Sequence, residues 1–208
     1  MAEPTDDDPL AEFVAVMRRL RAECPWKKEQ THRSLARYLL EETHETLEAI
    51  DTGDVAHLRE ELGDLLLQVV FHAVIAEQAG EFDLDDVARD ITAKMIRRNP
   101  HVYPPDGGAG GSAEATDAAT VTEVWESIKA TEKGRDRRDR PDAVLDLPPT
   151  LPALLYADKA LDRLERAGAA PPAADADLGD RLLALVAEAR RTGVDPEQAL
   201  RDAVRRLL

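Results

Sequence analysis

The chain has 208 residues, and its 42 acidic residues outnumber its 27 Lys and Arg residues, which gives a formal net charge of −15. Hydrophobic residues make up 43% of the chain but aromatic residues only 4%, so the core must be mainly aliphatic, a composition that favours an all-α protein. The negative charge argues against a binder of nucleic acid polymers, because such proteins neutralise phosphates with Lys and Arg.

Two further features bear on where the protein works. The single cysteine, Cys24, excludes a disulfide framework and a thiolate-rich metal site, in agreement with a reducing cytoplasm. Residues 1–9 form an acidic leader that is predicted to be disordered and does not resemble a signal peptide. No apolar run approaches the roughly 18 to 20 residues that span a bilayer. We therefore expect a cytoplasmic protein that does not bind membranes.

Apolar residues at three- and four-residue spacings predict a series of amphipathic helices in the N-terminal part of the chain. These helices cover residues 10–21, 34–50, 54–78 and 83–98, with a break at residues 24–26. The apolar stripe of residues 54–78 is broad, which indicates burial on more than one side, as in a bundle core or a dimer interface. Residues 104–119 are rich in Gly, Ala and Pro and are interpreted as a mobile loop before a short helix at 121–133.

The C-terminal part contains a partial repeat of the N-terminal part. A linker at 134–149 leads to helices predicted at 150–167, 178–191 and 196–208. Residues 177–186 align with residues 61–70, because both begin with an acid, Leu-Gly-Asp and a leucine-rich run, which suggests an ancestral duplication. No counterpart of the helix at 34–50 precedes the second copy. Residues 150–208 are therefore interpreted as a degenerate remnant, and catalysis is expected in residues 10–133.

Four carboxylates form the strongest candidate site. Glu42 and Glu45 share one face of their helix, as do Glu61 and Asp64 on the next helix. If these helices pack antiparallel, the repulsion among the carboxylates requires a cation, and hard oxygen ligands point to Mg²⁺, with Mn²⁺ as a substitute. Solvated faces of two charged helices are the alternative. The apolar run around Glu61 and Asp64 weakens that alternative.

Basic residues near the end of the helix at 83–98 form a candidate clamp for a triphosphate. Lys94 and Arg98 lie four residues apart on one helical face, with Arg97 beside them. The alternative is that these cations stabilise the helix through its dipole.

The acidic pattern Glu-Glu-x-x-Glu at 41–45, followed by Glu-x-x-Asp at 61–64, resembles the signature of the MazG family of all-α nucleoside triphosphate pyrophosphohydrolases. Residues 24–26, 30–35, 38–42 and 97–103 are similar to further landmarks of this family. The resemblance covers about residues 10–133 and implies a MazG-like helical bundle that is completed by homodimerisation. At His57, better-studied relatives have Lys, and at Asn99 a His is common, so this chain departs from the pattern there.

The resemblance implies metal-dependent hydrolysis of a nucleoside triphosphate between the α- and β-phosphates, as in housecleaning of the nucleotide pool. Glu41 would orient or deprotonate the attacking water. Trp125 would stack on the base, although an ordinary core position is the alternative for this residue. Lys129 would reach a phosphate. The implied Mg²⁺ ligands are Glu42, Glu45, Glu61 and Asp64.

Two other interpretations of the sequence remain. Glu29 with His32 and Glu41 with His44 have the Glu-x-x-His spacing of di-iron carboxylate bundles, but they lie only twelve residues apart and the first pair falls in a loop. The second interpretation is a helical dimerisation or regulatory module whose hydrolase site has decayed.

Overall fold

A computed structural model of the protein describes residues 8–104, 117–138, 147–166, 168 and 177–207. Across these residues the regular secondary structure is entirely α-helical, which confirms the predicted fold class. Most of the predicted acidic leader, mobile loop and linker lies outside the described residues. The parts concerned are residues 1–7, 105–116 and 139–146.

The chain divides into two compact units, Met1–Trp125 and Glu126–Leu208. The first unit contains α1 (Pro9–Glu23), α2 (Pro25–Glu29), α3 (His32–Thr52), α4 (Val55–Ala79) and α5 (Leu84–Arg98). The boundary between the units falls within α6 (Ala118–Arg138). The second unit contains α7 (Ala153–Arg166), α8 (Leu178–Arg191) and α9 (Pro196–Arg205).

The largest differences from the sequence prediction concern two helices. The helical structure is interrupted at Cys24, as predicted, but the five-residue α2 follows at once. Pro25 is the first residue of α2, where the backbone amide has no partner within the helix and proline is therefore tolerated. A helix of five residues is too short to show an apolar periodicity in the sequence. Helix α6 continues to Arg138, beyond the predicted end at residue 133. The prediction stopped too early because the last turns of α6 are polar and charged and carry no apolar pattern.

The connection between α3 and α4 positions the candidate site. Gly53 ends α3 in the left-handed region with φ of 72°, where glycine is favoured because it lacks a Cβ atom. Asp54 then caps α4, since its Oδ1 atom accepts hydrogen bonds from the backbone N–H groups of Ala56, at 2.9 Å, and His57, at 3.1 Å. This short connection makes α3 and α4 antiparallel neighbours, and they form the most extensive helix contact of the first unit.

The core of the first unit lies where α4 packs against α1 and α3. Its fully buried members are mostly aliphatic, as predicted, and burial of each such side chain stabilises the fold by roughly 1.5 to 3 kcal/mol. The buried residues of this cluster are Val14, Met17, Leu35, Val70, Phe71 and Val74. The core therefore holds one half of α4, and the candidate site lies toward the other half, near residue 61.

Among the described residues, α4 is the one helix long and apolar enough to cross a membrane by length and composition. The sequence analysis expected no such stretch. The core helix of a soluble protein has the same properties, and α4 contacts α1, α3 and α5 while burying Glu61 and Gln68. Length and composition therefore do not identify a membrane span here.

In the second unit, which also includes α6 from Glu126 onward, α7, α8 and α9 pack against one another. Leu161 and Val186 are its buried apolar residues within the described ranges. Arg190 of α8 joins the two longer helices, because its guanidinium lies 2.7 Å from Asp158 and 3.2 Å from Asp162 of α7. This unit therefore combines a small apolar core with ion pairs between helices.

Candidate active site

The α3–α4 pair brings three of the four predicted carboxylates together. Glu42 and Glu45 lie on α3, and Glu61 lies on the facing part of α4. One carboxylate oxygen from each of these residues lies within 4.8 Å of the others. Such a spacing allows one cation to contact all three.

Glu61 is the buried member of this cluster, with 7% of its surface exposed. Its Oε1 atom lies 2.9 Å from His57 Nε2, the distance of a hydrogen bond donated by the imidazole. Its Oε2 atom is buried and has no hydrogen-bond partner among the described residues. A buried carboxylate oxygen without a donor is costly, so this atom is suited to a cation.

The electrostatics of Glu42 report the same crowding. Burial raises the pKa of Glu42 above its usual value, and the nearby charges of Asp64, Glu45 and Glu61 raise it further. Asp64 is half-buried and lies outside the group of three, but its charge acts on Glu42. The four predicted acids therefore form one electrostatic cluster, which a proton or a cation relieves.

The donor chemistry of the cluster fits a hard divalent cation. Its atoms are carboxylate oxygens, which Mg²⁺ and Mn²⁺ prefer over nitrogen or sulfur donors. Within the described ranges, no other group of His, Cys, Asp and Glu has the spacing of a metal site. The Glu-x-x-His pairs of the di-iron interpretation are not in this cluster, and His32 instead contacts His72.

Glu41 lies next to the cluster in sequence but not within it. Its side chain is exposed, and consecutive residues of a helix point about 100° apart. The predicted role of Glu41 on the attacking water therefore stays a prediction. His44 is exposed as well.

The predicted cationic residues lie near the C-terminal end of α5, which packs against α4. Lys94 and Arg98 are half-buried, and Arg97 is exposed. The Arg98 guanidinium lies over the Trp125 ring, 5.2 Å from its centroid, within the range of a cation–π contact. Two residues that the sequence analysis assigned to the triphosphate and to the base are therefore in contact.

Lys129 belongs to the second unit, where its Nζ atom lies 3.0 Å from Glu126 Oε1. The other oxygen of Glu126 lies 2.7 Å from Arg166. Burial raises the pKa of Glu126, but these two cations outweigh the burial and leave it below its usual value. The predicted contact of Lys129 with a phosphate stays a prediction.

The sequence analysis named His57 as a departure from the family pattern but did not identify Glu61 as its partner. The signal was the four-residue spacing on one helical face. Asn99, the other departure, ends α5, and its Nδ2 atom donates to the carbonyl oxygen of Met95 at 2.7 Å. In this position Asn99 satisfies a carbonyl at the end of the helix.

Comparison with known proteins gives consistent matches. Residues 30–103 match the model of the MazG nucleotide pyrophosphohydrolase domain. An uncharacterized 26.1 kDa protein of Streptomyces cacaoi is 42% identical over 198 residues, which cover 93% of this chain and 77% of that protein. The nucleoside triphosphate pyrophosphohydrolase/pyrophosphatase MazG of Thermotoga maritima is 36% identical, over 95% of this chain and 82% of that protein. A crystal structure of a MazG-related protein from Thermotoga maritima is similar at a TM-score of 0.48 and 23% identity, covering 58% of this chain and 98% of that chain.

Proposed function

The chain belongs to the MazG family, and from this premise we propose that it hydrolyses nucleoside triphosphates between the α- and β-phosphates. The products are the nucleoside monophosphate and pyrophosphate. The observation that carries the proposal is the cluster of Glu42, Glu45 and Glu61. In this cluster the Oε2 atom of Glu61 is buried and has no hydrogen-bond donor within the described part of the chain. The relative from Thermotoga maritima, of which this chain covers 82%, is named a nucleoside triphosphate pyrophosphohydrolase and supports the proposed activity.

We propose that Glu42, Glu45 and Glu61 hold Mg²⁺ or Mn²⁺, with Asp64 beside them. The ion, when bound, supplies positive charge that neutralises the phosphate oxygens. His57 orients Glu61 through its hydrogen bond, which leaves the second carboxylate oxygen of Glu61 available. Glu42 must lose its proton before it can act as a ligand, and because its pKa is raised, this loss requires a higher pH than it does for an ordinary glutamate.

We assign the remaining roles as follows. Glu41 orients or deprotonates the water that attacks the α-phosphate. Lys94, Arg97 and Arg98 bind the negative triphosphate, and Lys129 contacts a phosphate. Trp125 stacks on the base, and the Arg98 guanidinium over its ring holds the indole in place.

The cellular role follows from this chemistry. We propose that the protein removes unwanted nucleotides from the cytoplasmic pool, and that it acts on free nucleotides without binding nucleic acid polymers or membranes. We also propose that it works as a homodimer, because α4 exposes Leu62, Leu66 and Val69 along one stripe although it is the core helix of its unit. A second copy would cover this stripe.

Product analysis tests the proposed activity. Purified protein is incubated with a panel of nucleoside triphosphates, with Mg²⁺ and with EDTA, and the products are separated. We expect monophosphate and pyrophosphate in the presence of Mg²⁺ and no turnover with EDTA. Diphosphate and orthophosphate would show that a different bond is cut. A folded, metal-binding protein that turns over no nucleotide would instead favour the decayed dimerisation or regulatory module.

A further inference from the structure

Two polar side chains of α4 beyond the acid cluster also have buried atoms without a partner. Gln68 is 4% exposed, and its Oε1 atom has no hydrogen-bond partner among the described residues. The same holds for the Nε2 atom of the half-buried His72. Glu61, Gln68 and His72 lie within about 40° of one another around the helix axis, so these atoms follow one face of α4. Because buried polar atoms are normally paired, this face is suited to a ligand that extends from the cluster.

The contact between His32 and His72 determines what the Nε2 atom of His72 can do. Their Nδ1 atoms lie 2.7 Å apart, so one imidazole donates a hydrogen bond to the other. Burial, together with the charge of His32, lowers the pKa of His72, which keeps this imidazole neutral at neutral pH. If the neutral His72 accepted the bond, its proton would lie on the buried Nε2 atom with no acceptor among the described residues, which is the rarer arrangement. His72 therefore donates from Nδ1, and its Nε2 atom is an acceptor.

The Oε1 atom of Gln68 and the Nε2 atom of His72 are thus two buried acceptors on neighbouring side chains. Residues four apart on a helix lie next to each other on its surface. A primary amino group has two N–H donors and can pair with both acceptors at once. Adenine and cytosine carry such an exocyclic amino group, whereas uracil has a carbonyl oxygen at the corresponding position, and so does hypoxanthine. A carbonyl oxygen would leave both acceptors unpaired and would be repelled by them.

The position of these acceptors along α4 fits the base of a nucleotide whose phosphates lie at the cluster. Gln68 and His72 lie one and two helical turns beyond Asp64, about 6 and 12 Å along the helix axis. The sugar of a nucleotide separates its base from its phosphates by a distance of this order. We propose that Gln68 and His72 form a subsite that selects nucleoside triphosphates whose base carries an exocyclic amino group. This subsite rests on the proposed hydrolase function and adds a substrate class to it.

The second copy of the internal repeat supports this assignment. When the alignment of residues 61–70 with 177–186 is continued, Gln68 corresponds to Ala184 and His72 to Glu188. The buried Val70 corresponds to Val186, which is also buried. The second copy therefore keeps a packing position and lacks both polar acceptors, as it lacks the acids of α3. This pattern groups the two acceptors with the site and not with the packing of the helix.

Matched pairs of substrates test the subsite. The bases of ATP and CTP carry the amino group that ITP and UTP replace with a carbonyl oxygen. We expect kcat/KM of the wild type to be at least about tenfold higher for the amino member of each pair. Gln68→Met removes the acceptor at a similar side-chain volume and should bring this ratio to within about twofold of unity, by lowering kcat/KM for ATP and CTP. Gln78→Met is the matched control, because Gln78 lies on the same helix and its Oε1 atom accepts a hydrogen bond from Arg21 Nε at 3.0 Å. Its ratio should equal that of the wild type.

The outcomes separate the subsite from the activity itself. Equal kcat/KM for both members of each pair in the wild type would overturn the subsite, while the proposed hydrolysis would stand. A ratio that survives in Gln68→Met, with unchanged circular dichroism, would overturn the assignment of Gln68. If no nucleotide were hydrolysed, the proposed function would fail, and calorimetric binding with Ca²⁺ in place of Mg²⁺ would decide on the subsite. Tighter binding of ATP than of ITP would then support it, and equal binding would overturn it.

Discussion

Glu61 and Asp64 of α4 have counterparts in Asp177 and Asp180 of α8, at the same spacing and before the same leucine-rich run. In α4 the acids lie well inside the helix, which begins at Val55, and Glu61 is buried. In α8 the helix begins only at Leu178, so Asp177 is the N-cap and its Oδ1 atom accepts the backbone amide of Asp180 at 2.9 Å. The position of the helix start therefore determines whether the first acid serves the backbone or a site.

The facing helix is the second difference. α3 supplies Glu42 and Glu45 opposite Glu61, and it is held antiparallel to α4 by the short turn at Gly53 and Asp54. Within the described ranges, Asp177 and Asp180 of α8 are not part of any such cluster. Two acids at the right spacing on one helix thus have chemical meaning only when a second helix brings acids of its own.

The largest expected effect comes from breaking the cluster in the first unit. Asp64→Ala removes a carboxylate that acts on Glu42, and we expect kcat to fall by about 100-fold or more if the cluster holds the catalytic ion. Steady-state turnover of the preferred nucleotide at saturating Mg²⁺ measures the effect.

Asp180→Ala is the matched control, because it removes the counterpart of Asp64 in the repeat. Its side chain lies in the first turn of α8, outside the cluster, so activity should stay within about twofold of the wild type. A fully active Asp64→Ala protein would remove Asp64 from the metal site. A folded but inactive Asp180→Ala protein would show that the second unit is more than a remnant.

The second prediction concerns the support of Glu61. His57→Ala removes the hydrogen-bond donor to Glu61 Oε1, and the Mg²⁺ concentration for half-maximal activity should rise about tenfold, the effect typical of groups that orient metal ligands. A titration of activity against Mg²⁺ measures the change. His44→Ala removes an exposed imidazole of α3 and should leave the titration unchanged. An unchanged titration for His57→Ala would mean that Glu61 needs no orienting partner.

These contrasts indicate how far the sequence alone could reach. The long helices were predicted because apolar periodicity persists over many turns, whereas α2 is too short and the end of α6 too polar to show it. The cluster of Glu42, Glu45 and Glu61 followed from spacing plus a short turn. The contact of His57 with Glu61 and that of Arg98 with Trp125 did not, because they depend on side-chain orientation and on packing between helices distant in sequence.

The third prediction tests the structural role of Asp177. Asp177→Ala removes the N-cap of α8 and should lower the free energy of unfolding of the second unit by about 1 kcal/mol. Urea unfolding followed by circular dichroism measures the loss. Asp177→Asn keeps a capping oxygen and should recover most of it. If Asp177→Ala abolished activity while Asp177→Asn kept the stability but not the activity, the acid would have a role beyond capping.

The smallest expected effect is a pH dependence within the first unit. His32 and His72 lie with their Nδ1 atoms 2.7 Å apart in nearly parallel rings, and burial, together with the charge of His32, lowers the pKa of His72 below its usual 6.5. The unfolded chain therefore binds a proton at this position near pH 6.5, while the folded chain resists it, so stability falls as the pH falls below about 6.5.

His72→Asn should make the loss of unfolding free energy between pH 7.5 and 5.5 smaller than in the wild type, as measured by urea titrations at both pH values. The exposed His44 serves as the control, since His44→Asn should leave that difference unchanged. An equal loss in His72→Asn and the wild type would mean that the paired imidazole takes up its proton as readily in the folded chain as in the unfolded one.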